Sequence, residues 1–269
     1  MHKDVSMIPY PEVTSLYKYM PWPLFARETL LEQRIWYSSM SAFNDPFEGI
    51  YDIQNDISVH AAIALAAKFK ADCNWDEVEG FIRTHVLHAR HDSLVLSDDF
   101  KAIVKQQVEA ARDQIRSLGV LSLSMVPDSI LLWSHYADEH KGICIEFERN
   151  IDEDSGILEN SRPVIYSDMY PTPSVDQLVL DPRALTNKVV YTKSHHWAYE
   201  KEWRLWKDKG NQKHPLPGPV KSVILGSNWQ GSQEDIQRIC RDLNADLIQA
   251  KIVQGRYDIE FETIQHRET

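Results

Sequence analysis

Short apolar and aromatic runs at residues 15–20 and 34–38 read as strands, and a proline-led helix is predicted between them over residues 22–33. A loop, Phe43-Asn44-Asp45-Pro46-Phe47-Glu48, closes this strand–helix–strand unit. Asp45 before Pro46, with Glu48 three residues on, has the form of a capping box with proline at the first helical position. From residue 58 to 118 the period changes to that of helices, predicted over 59–71, 75–89 and 98–118. In the last of these Ile103, Val104, Val108, Ala111, Ile115 and Leu118 share a face.

After Gly119 the two-residue period returns, and the alternation of residues 120–124 places Ser122 and Ser124 on one face. A helix over 129–140 comes next, with Ser129 as N-cap and Lys141-Gly142 as its stop. Further strands are predicted at 143–147, 163–167, 189–192, 220–225, 247–253 and 257–263. A helix over 232–243 opens on the Ser232 and Asp235 capping pair. Strands outnumber crossover helices, which predicts an α+β fold with a mixed, mainly antiparallel sheet. The whole chain, residues 1–269, reads as a single domain carrying a helical insertion at 58–118.

The chemistry concentrates at Tyr199-Glu200-Lys201-Glu202-Trp203-Arg204. Read as an extended segment beginning at Trp197, this stretch directs Glu200 and Glu202 to one face and Tyr199, Lys201 and Trp203 to the other. Two carboxylates that close raise each other's proton affinity, an arrangement found in catalytic clefts and also in structural ion-pair networks. The plain alternative leaves Glu200 in solvent and pairs Glu202 with Arg204.

A chain of 269 residues that is 43% hydrophobic can bury a substantial core. Its net charge of −11 argues against a surface built to coat nucleic acid or lie on a membrane. No apolar run approaches the roughly 18 to 20 residues of a membrane span, and the opening MHKDVSMIPYPEV lacks signal-peptide features. A cytoplasmic protein is expected. Cys73, Cys144 and Cys240 are odd in number and far apart, which suggests buried thiols, not a disulfide framework. His135 and His140 fall on different faces of a helix, and no histidine or cysteine set has the spacing of a metal site.

Five segments carry a family resemblance: LYKY at 16–19, FNDPFE at 43–48, LSLS at 121–124, LLWSHYADEHKGICIEF at 131–147 and WAYEKEWRL at 197–205. In this order they resemble the bacterial family named domain of unknown function 2971 (DUF2971). More distantly, the sequence is similar to the ADP-ribosyltransferase fold, in which NAD lies in a cleft of a split sheet. That resemblance implies NAD as substrate. It places Lys18, with Tyr17 beside it, where the fold usually has arginine or histidine to hold the adenosine end. It puts Ser122 and Ser124 on the strand supporting the cleft, Glu202 in the catalytic role and Glu200 as the group that orients or deprotonates the nucleophile. Trp133, Tyr136 or Trp197 would face the nicotinamide ring.

The activity this resemblance implies is that of an NAD-dependent ADP-ribosyltransferase or NAD glycohydrolase, a toxin or phage-defence effector in the manner of the wider fold. Its acceptor would be a protein, a nucleic acid, a small molecule or water. The insertion would offer a surface to a protein partner, and no membrane is involved. Two other classes stand beside this one. One is an enzyme acting on nucleic acid, with His135 and His140 or the carboxylates as acid and base. The other is a non-catalytic regulatory module that keeps the transferase-like shape.

Overall fold

The computed structural model describes residues 10–267 apart from 55–56, 70–75, 77–78, 81–82, 85, 91–92 and 150–155. In chain order the elements are β1 (Ser15–Met20), α1 (Ala26–Glu32), β2 (Arg34–Ser39), α2 (Val59–Phe69), β3 (Val86–Arg90), β4 (Ser93–Leu96), α3 (Asp98–Ser117) and β5 (Gly119–Ser124). Then come α4 (Ile130–Tyr136), β6 (Ile143–Glu148), α5 (Gly156–Asn160), β7 (Arg162–Pro163), β8 (Ile165–Ser167), α6 (Val175–Leu180), α7 (Pro182–Val190) and β9 (Thr192–Ser194). The chain finishes with β10 (Glu202–Lys207), β11 (Gln212–Pro215), β12 (Val220–Leu225), α8 (Gln233–Asp242), β13 (Asp246–Ile252) and β14 (Ile259–Gln265). The fold is α+β, as the excess of strands over crossovers predicts.

Two compact units divide the chain, one formed by residues 1–38, 119–164 and 195–269, the other by 39–118 and 165–194. The predicted insertion at 58–118 therefore belongs to a larger, discontinuous unit.

The first unit is built on a ten-stranded sheet in the order β11-β2-β5-β1-β6-β12-β13-β14, with β10 beside β5 and β7 beside β10. β1 and β6 pair antiparallel along their full length, from Ser15↔Glu148 to Met20↔Ile143, and β10 pairs antiparallel with all of β5. By contrast β1 meets β5 at the single register pair Tyr17↔Ser124. β12 and β13 are parallel, which requires a crossover, and α8 provides it. At the β14 edge Gln265 pairs with Leu247 and Thr263 with Ile248, leaving Ile264 as an extra residue. That bulge, with Glu260 and Glu262 on the same strand, blunts an edge that would otherwise invite another strand.

Strand alternation sorts the side chains onto two faces. Leu16, Met20, Leu121, Leu123, Ile145, Phe147, Trp203, Leu205 and Val223 join Ala26 and Leu30 of α1 and Ile236 and Ile239 of α8 in the larger core. Tyr19, Cys144, Ile224 and Ala250 face the opposite way and pack with Leu132 and Trp133 of α4. α4 begins where Ser129 accepts the Leu132 N–H and, past Ala137, gives way to a turn of Asp138, Glu139 and His140, all with positive φ. A left-handed conformation costs about 1–2 kcal/mol per non-glycine residue. Backbone contacts fix the turn: the His140 N–H donates to the Trp133 carbonyl (3.2 Å) and the Asn228 N–H to the His140 carbonyl (3.0 Å). A Cβ at Gly226 would overlap that His140 carbonyl, so the approach requires glycine.

In the second unit α3 is capped by the Ser97 hydroxyl, which accepts the Phe100 N–H, and Phe100, Val104, Val108 and Ile115 form its buried stripe. β3 and β4 pair antiparallel, and β3 occupies the end of the segment, 75–89, predicted as a helix; much of that segment lies outside the described residues. The short apolar runs on either side of Arg90-His91-Asp92-Ser93 fit a hairpin as well as a helix, and periodicity alone does not decide between them. The strand predicted at 189–192 is instead the end of α7 followed by β9. Asp181 caps α7 ahead of Pro182, and Ser174 with Gln177 forms a capping box for α6, both of which sequence reading passed over. In the FNDPFE loop the Asp45 carboxylate accepts the Phe47 N–H (2.9 Å) while Glu48 lies 3.6 Å from Lys193. The segment is a tight turn capped by Asp45, as the sequence pattern predicts, and it is tied to a buried ion pair.

No helix among the described residues is long and apolar enough to cross a membrane. Cys144 and Cys240 are buried free thiols; Cys73 lies outside the described residues.

Candidate functional site

Cross-strand pairing lays a row of polar residues over the face opposite the larger core. Glu202 of β10 opposes Ser124 of β5, Ser124 opposes Tyr17 of β1, Tyr17 opposes Glu146 of β6, Glu146 opposes Ser222 of β12, and Ser222 opposes Asp246 of β13. Direct cross-strand partners share a face, so six strands contribute to one polar track. The candidate site lies at its β10 end.

The segment before β10 is not extended as predicted. Residues His195–Glu200 form a 3-10 helix, and the strand starts at Glu202 after Lys201, whose φ is +44°. A left-handed residue between the two acids reverses the chain sharply while keeping both carboxylates inward. Three hydrogen bonds hold this turn: Lys201 N–H to the Ala198 carbonyl (3.2 Å), the Ser124 hydroxyl to the Glu200 carbonyl (2.8 Å), and the Met125 N–H to the Lys201 carbonyl (3.1 Å). Lys201→Gly is therefore expected to raise the unfolding free energy by about 0.5–1 kcal/mol, because glycine occupies positive φ without strain. Urea denaturation of the two proteins would measure it, and a loss of stability would contradict this account of the turn.

Both acids are buried, Glu200 at 5% exposure and Glu202 at 4%, which rules out a solvated Glu200. The Tyr136 hydroxyl, from the last turn of α4, donates to Glu200 Oε1 at 2.7 Å. Arg204, fully buried, grips Glu202 with two bonds, Nε to Oε1 at 2.7 Å and Nη2 to Oε2 at 3.1 Å. Lys18 donates from Nζ to the Ser122 carbonyl at 2.9 Å. Burial pushes the Lys18 amine below its ordinary pKa, and the negative charges of Glu202 and then Glu200 oppose that shift. The Tyr136 phenol is pushed up, first by burial and then by the adjacent Glu200 charge. Two carboxyl groups, an amine and a guanidinium are thus enclosed together, a composition a low-dielectric interior tolerates only when their charges compensate.

Lys18, Tyr136, Glu200 and Glu202 come together in the fold. The serines play supporting parts: Ser124 bonds the backbone of the Glu200 turn and accepts the Val126 N–H, and Ser122 meets Lys18 through its carbonyl. Lys18 does not mark a sheet edge, since β1 lies between β5 and β6. Trp133 departs from its assignment to a nicotinamide wall. It is 0% exposed, its Nε1 donates to the Pro127 carbonyl at 2.8 Å, and its ring meets Tyr19 edge-on at 5.1 Å, so it is a core residue of α4. Trp197 is partly exposed and lies against Tyr199 at 6.1 Å. His135 is exposed on α4, whereas His140 belongs to the left-handed turn. Among the described residues no three His, Cys, Asp or Glu side chains converge as a metal site would need.

Sequence reading missed Glu146. This carboxylate, 6% exposed, accepts from Ser15 Oγ (2.6 Å), Ser222 Oγ (2.6 Å), Lys221 Nζ (2.8 Å) and the Tyr17 hydroxyl (3.4 Å). Burial alone would raise its pKa. The bonds from Lys221, Ser15 and Ser222 and the Lys221 charge outweigh burial and hold the carboxyl below its ordinary range. A carboxylate with a depressed folded pKa contributes stability above its unfolded pKa and loses it as pH falls through the folded value. Acid unfolding should therefore steepen below about pH 4.5. Glu146→Gln should flatten that dependence; an unchanged acid limb in a pH series of melting curves would rule out the linkage.

Comparison with known proteins gives one finding. Residues 132–205 match the model of a family described as protein of unknown function (DUF2971), a stretch that runs from α4 through the Glu200-Lys201-Glu202 turn into β10. No curated protein matches the chain, and no solved structure matches it.

Proposed function

We propose that the chain cleaves the nicotinamide–ribose bond of NAD, as an ADP-ribosyltransferase or an NAD glycohydrolase, with Glu202 and Glu200 as its acids. The observation carrying this reading is the meeting of Lys18, Ser124, Glu200 and Glu202 at one place, from segments distant in sequence. The single register pair between β1 and β5 is what a split sheet of the ADP-ribosyltransferase kind would require, and the cleft would lie where these strands part.

As nicotinamide leaves with the bonding electron pair, positive charge develops on the ribose. A carboxylate already fixed in position stabilises that charge without reorganising. Glu202 is fixed by the Arg204 fork. A carboxylate oxygen accepts more than one bond, so a side chain held in this way can also take a ribose hydroxyl. Glu200, oriented by Tyr136, would take the proton from the incoming nucleophile, a hydroxyl of an acceptor or of water. Lys18 supplies the positive charge for the anionic part of the dinucleotide. The helical segment 58–118 would offer a surface to a protein partner. A toxin or phage-defence role is the setting in which such chemistry would act.

Incubating the purified protein with NAD and following free nicotinamide by chromatography tests the reading directly. Lys18→Ala should weaken NAD binding by about tenfold or more in calorimetry, the worth of one charge-assisted contact. A second reading rests on the same Arg204–Glu202 fork: a carboxylate engaged by a buried guanidinium suits a regulatory module with a closed polar core. NAD that is neither bound nor cleaved would favour that module.

A further inference from the structure

Around the C-terminal turn of α4 stands a group that the NAD reading does not use. Ser134 Oγ lies 3.3 Å from His140 Nε2, and His140 Nδ1 lies 3.4 Å from Ser227 Oγ. Ser134 is exposed, His140 and Ser227 are partly so, and all three belong to the first unit. The imidazole lies over the Trp133 ring, with centroids 6.1 Å apart and planes inclined by 17°. Its backbone is the last of three consecutive left-handed residues, locked by the Asn228 amide and by the approach that only glycine permits at Gly226.

We infer that Ser134, His140 and Ser227 form a second reactive centre, in which Ser134 is a nucleophile toward small activated acyl esters. A hydroxyl, an imidazole within reach of it and a third group orienting the imidazole are the parts an activated serine requires. Strain of this kind persists only where surrounding contacts enforce it, and such positions concentrate at functional sites. In the tautomer this centre requires, Ser227 accepts the Nδ1 proton and the Nε2 lone pair faces Ser134. At rest the Ser134 proton bonds the Ile130 carbonyl (2.9 Å), the usual bond of a serine to the preceding helical turn. Rotation about Cβ–Oγ turns that hydrogen toward Nε2, which takes the proton as Oγ attacks. Burial holds the imidazole below its ordinary pKa, so the neutral base predominates at neutral pH. In the reaction the Oγ–carbonyl carbon bond forms, the ester C–O bond breaks, the leaving group departs with the electron pair as a stabilised phenolate, and His140 Nε2 holds the serine proton.

The full chain treated with p-nitrophenyl acetate should release a burst of p-nitrophenolate approaching one equivalent, with the acetyl group found on Ser134 by peptide mass spectrometry. Ser134→Ala should abolish the burst. His140→Asn, chosen because asparagine accepts positive φ, should slow it by about 100-fold, within the range for loss of a general base. Ser227→Ala should slow it by about tenfold. Acetyl found only on lysines, or a Ser134 burst that keeps its rate in a folded His140→Asn protein, would overturn the proposal. Circular dichroism of each variant establishes that it is folded.

Discussion

Glu202→Gln is expected to slow nicotinamide release from NAD by about 100- to 1,000-fold, the usual effect of removing one group aimed at transition-state charge. The same change should lower stability. The fork from Arg204 makes this carboxylate half of a buried ion pair. Neutralising Glu202 leaves a fully buried guanidinium without this charged partner, and breaking a buried pair costs about 3–5 kcal/mol. The melting temperature should then fall by roughly 6 to 15 °C. Arg204→Met alone should cost a similar amount by stranding the carboxylate. The double variant, Glu202→Gln with Arg204→Met, should recover most of the stability and none of the activity, since replacing both members of a buried pair is far milder than removing one. A double variant that regained nicotinamide release would remove Glu202 from the chemistry.

Trp133→Ala should be the most damaging single change to α4, at about 4–5 kcal/mol or roughly 10 to 15 °C in melting temperature. The indole is wholly enclosed, bonds the Pro127 carbonyl and meets Tyr19 edge-on, so truncation leaves a cavity and an unpaired carbonyl. NAD affinity separates the core role from a ligand-wall role. Trp133→Phe keeps most of the packing and loses the indole N–H, and it should bind NAD with unchanged affinity in calorimetry. A tenfold loss of affinity in that variant would return Trp133 to the nicotinamide wall.

Periodicity was enough to locate β1, β5, α4, β6, β12 and α8, because each buries one face against a continuous core and repeats apolar residues at the spacing of its element. It failed over residues 175–190, where α6 and α7 are short and begin at Ser174 and Asp181. There the caps carried the signal and the hydrophobic repeat was too brief to show it. Glu200 and Glu202 were identified for the right residues and with the wrong backbone. A strand would direct them to one side, and so does a 3-10 turn followed by a left-handed lysine, and no residue preference distinguishes Lys201 as the left-handed position. Glu146 gave no local signal at all. Its donors lie 131 residues away at Ser15 and 75 and 76 residues away at Lys221 and Ser222, a coincidence only the folded sheet creates.

The polar track across six strands also polices how the sheet assembles. If β1 slid by one residue, Tyr17 would turn into the oily side and Leu16 or Lys18 would take its place among the carboxylates. Either slip would take the Ser15 and Tyr17 hydroxyls away from Glu146 and leave it only its donors on β12, Ser222 and Lys221. The acids therefore act as a proofreading key for strand order, penalising misaligned chains before any ligand is met.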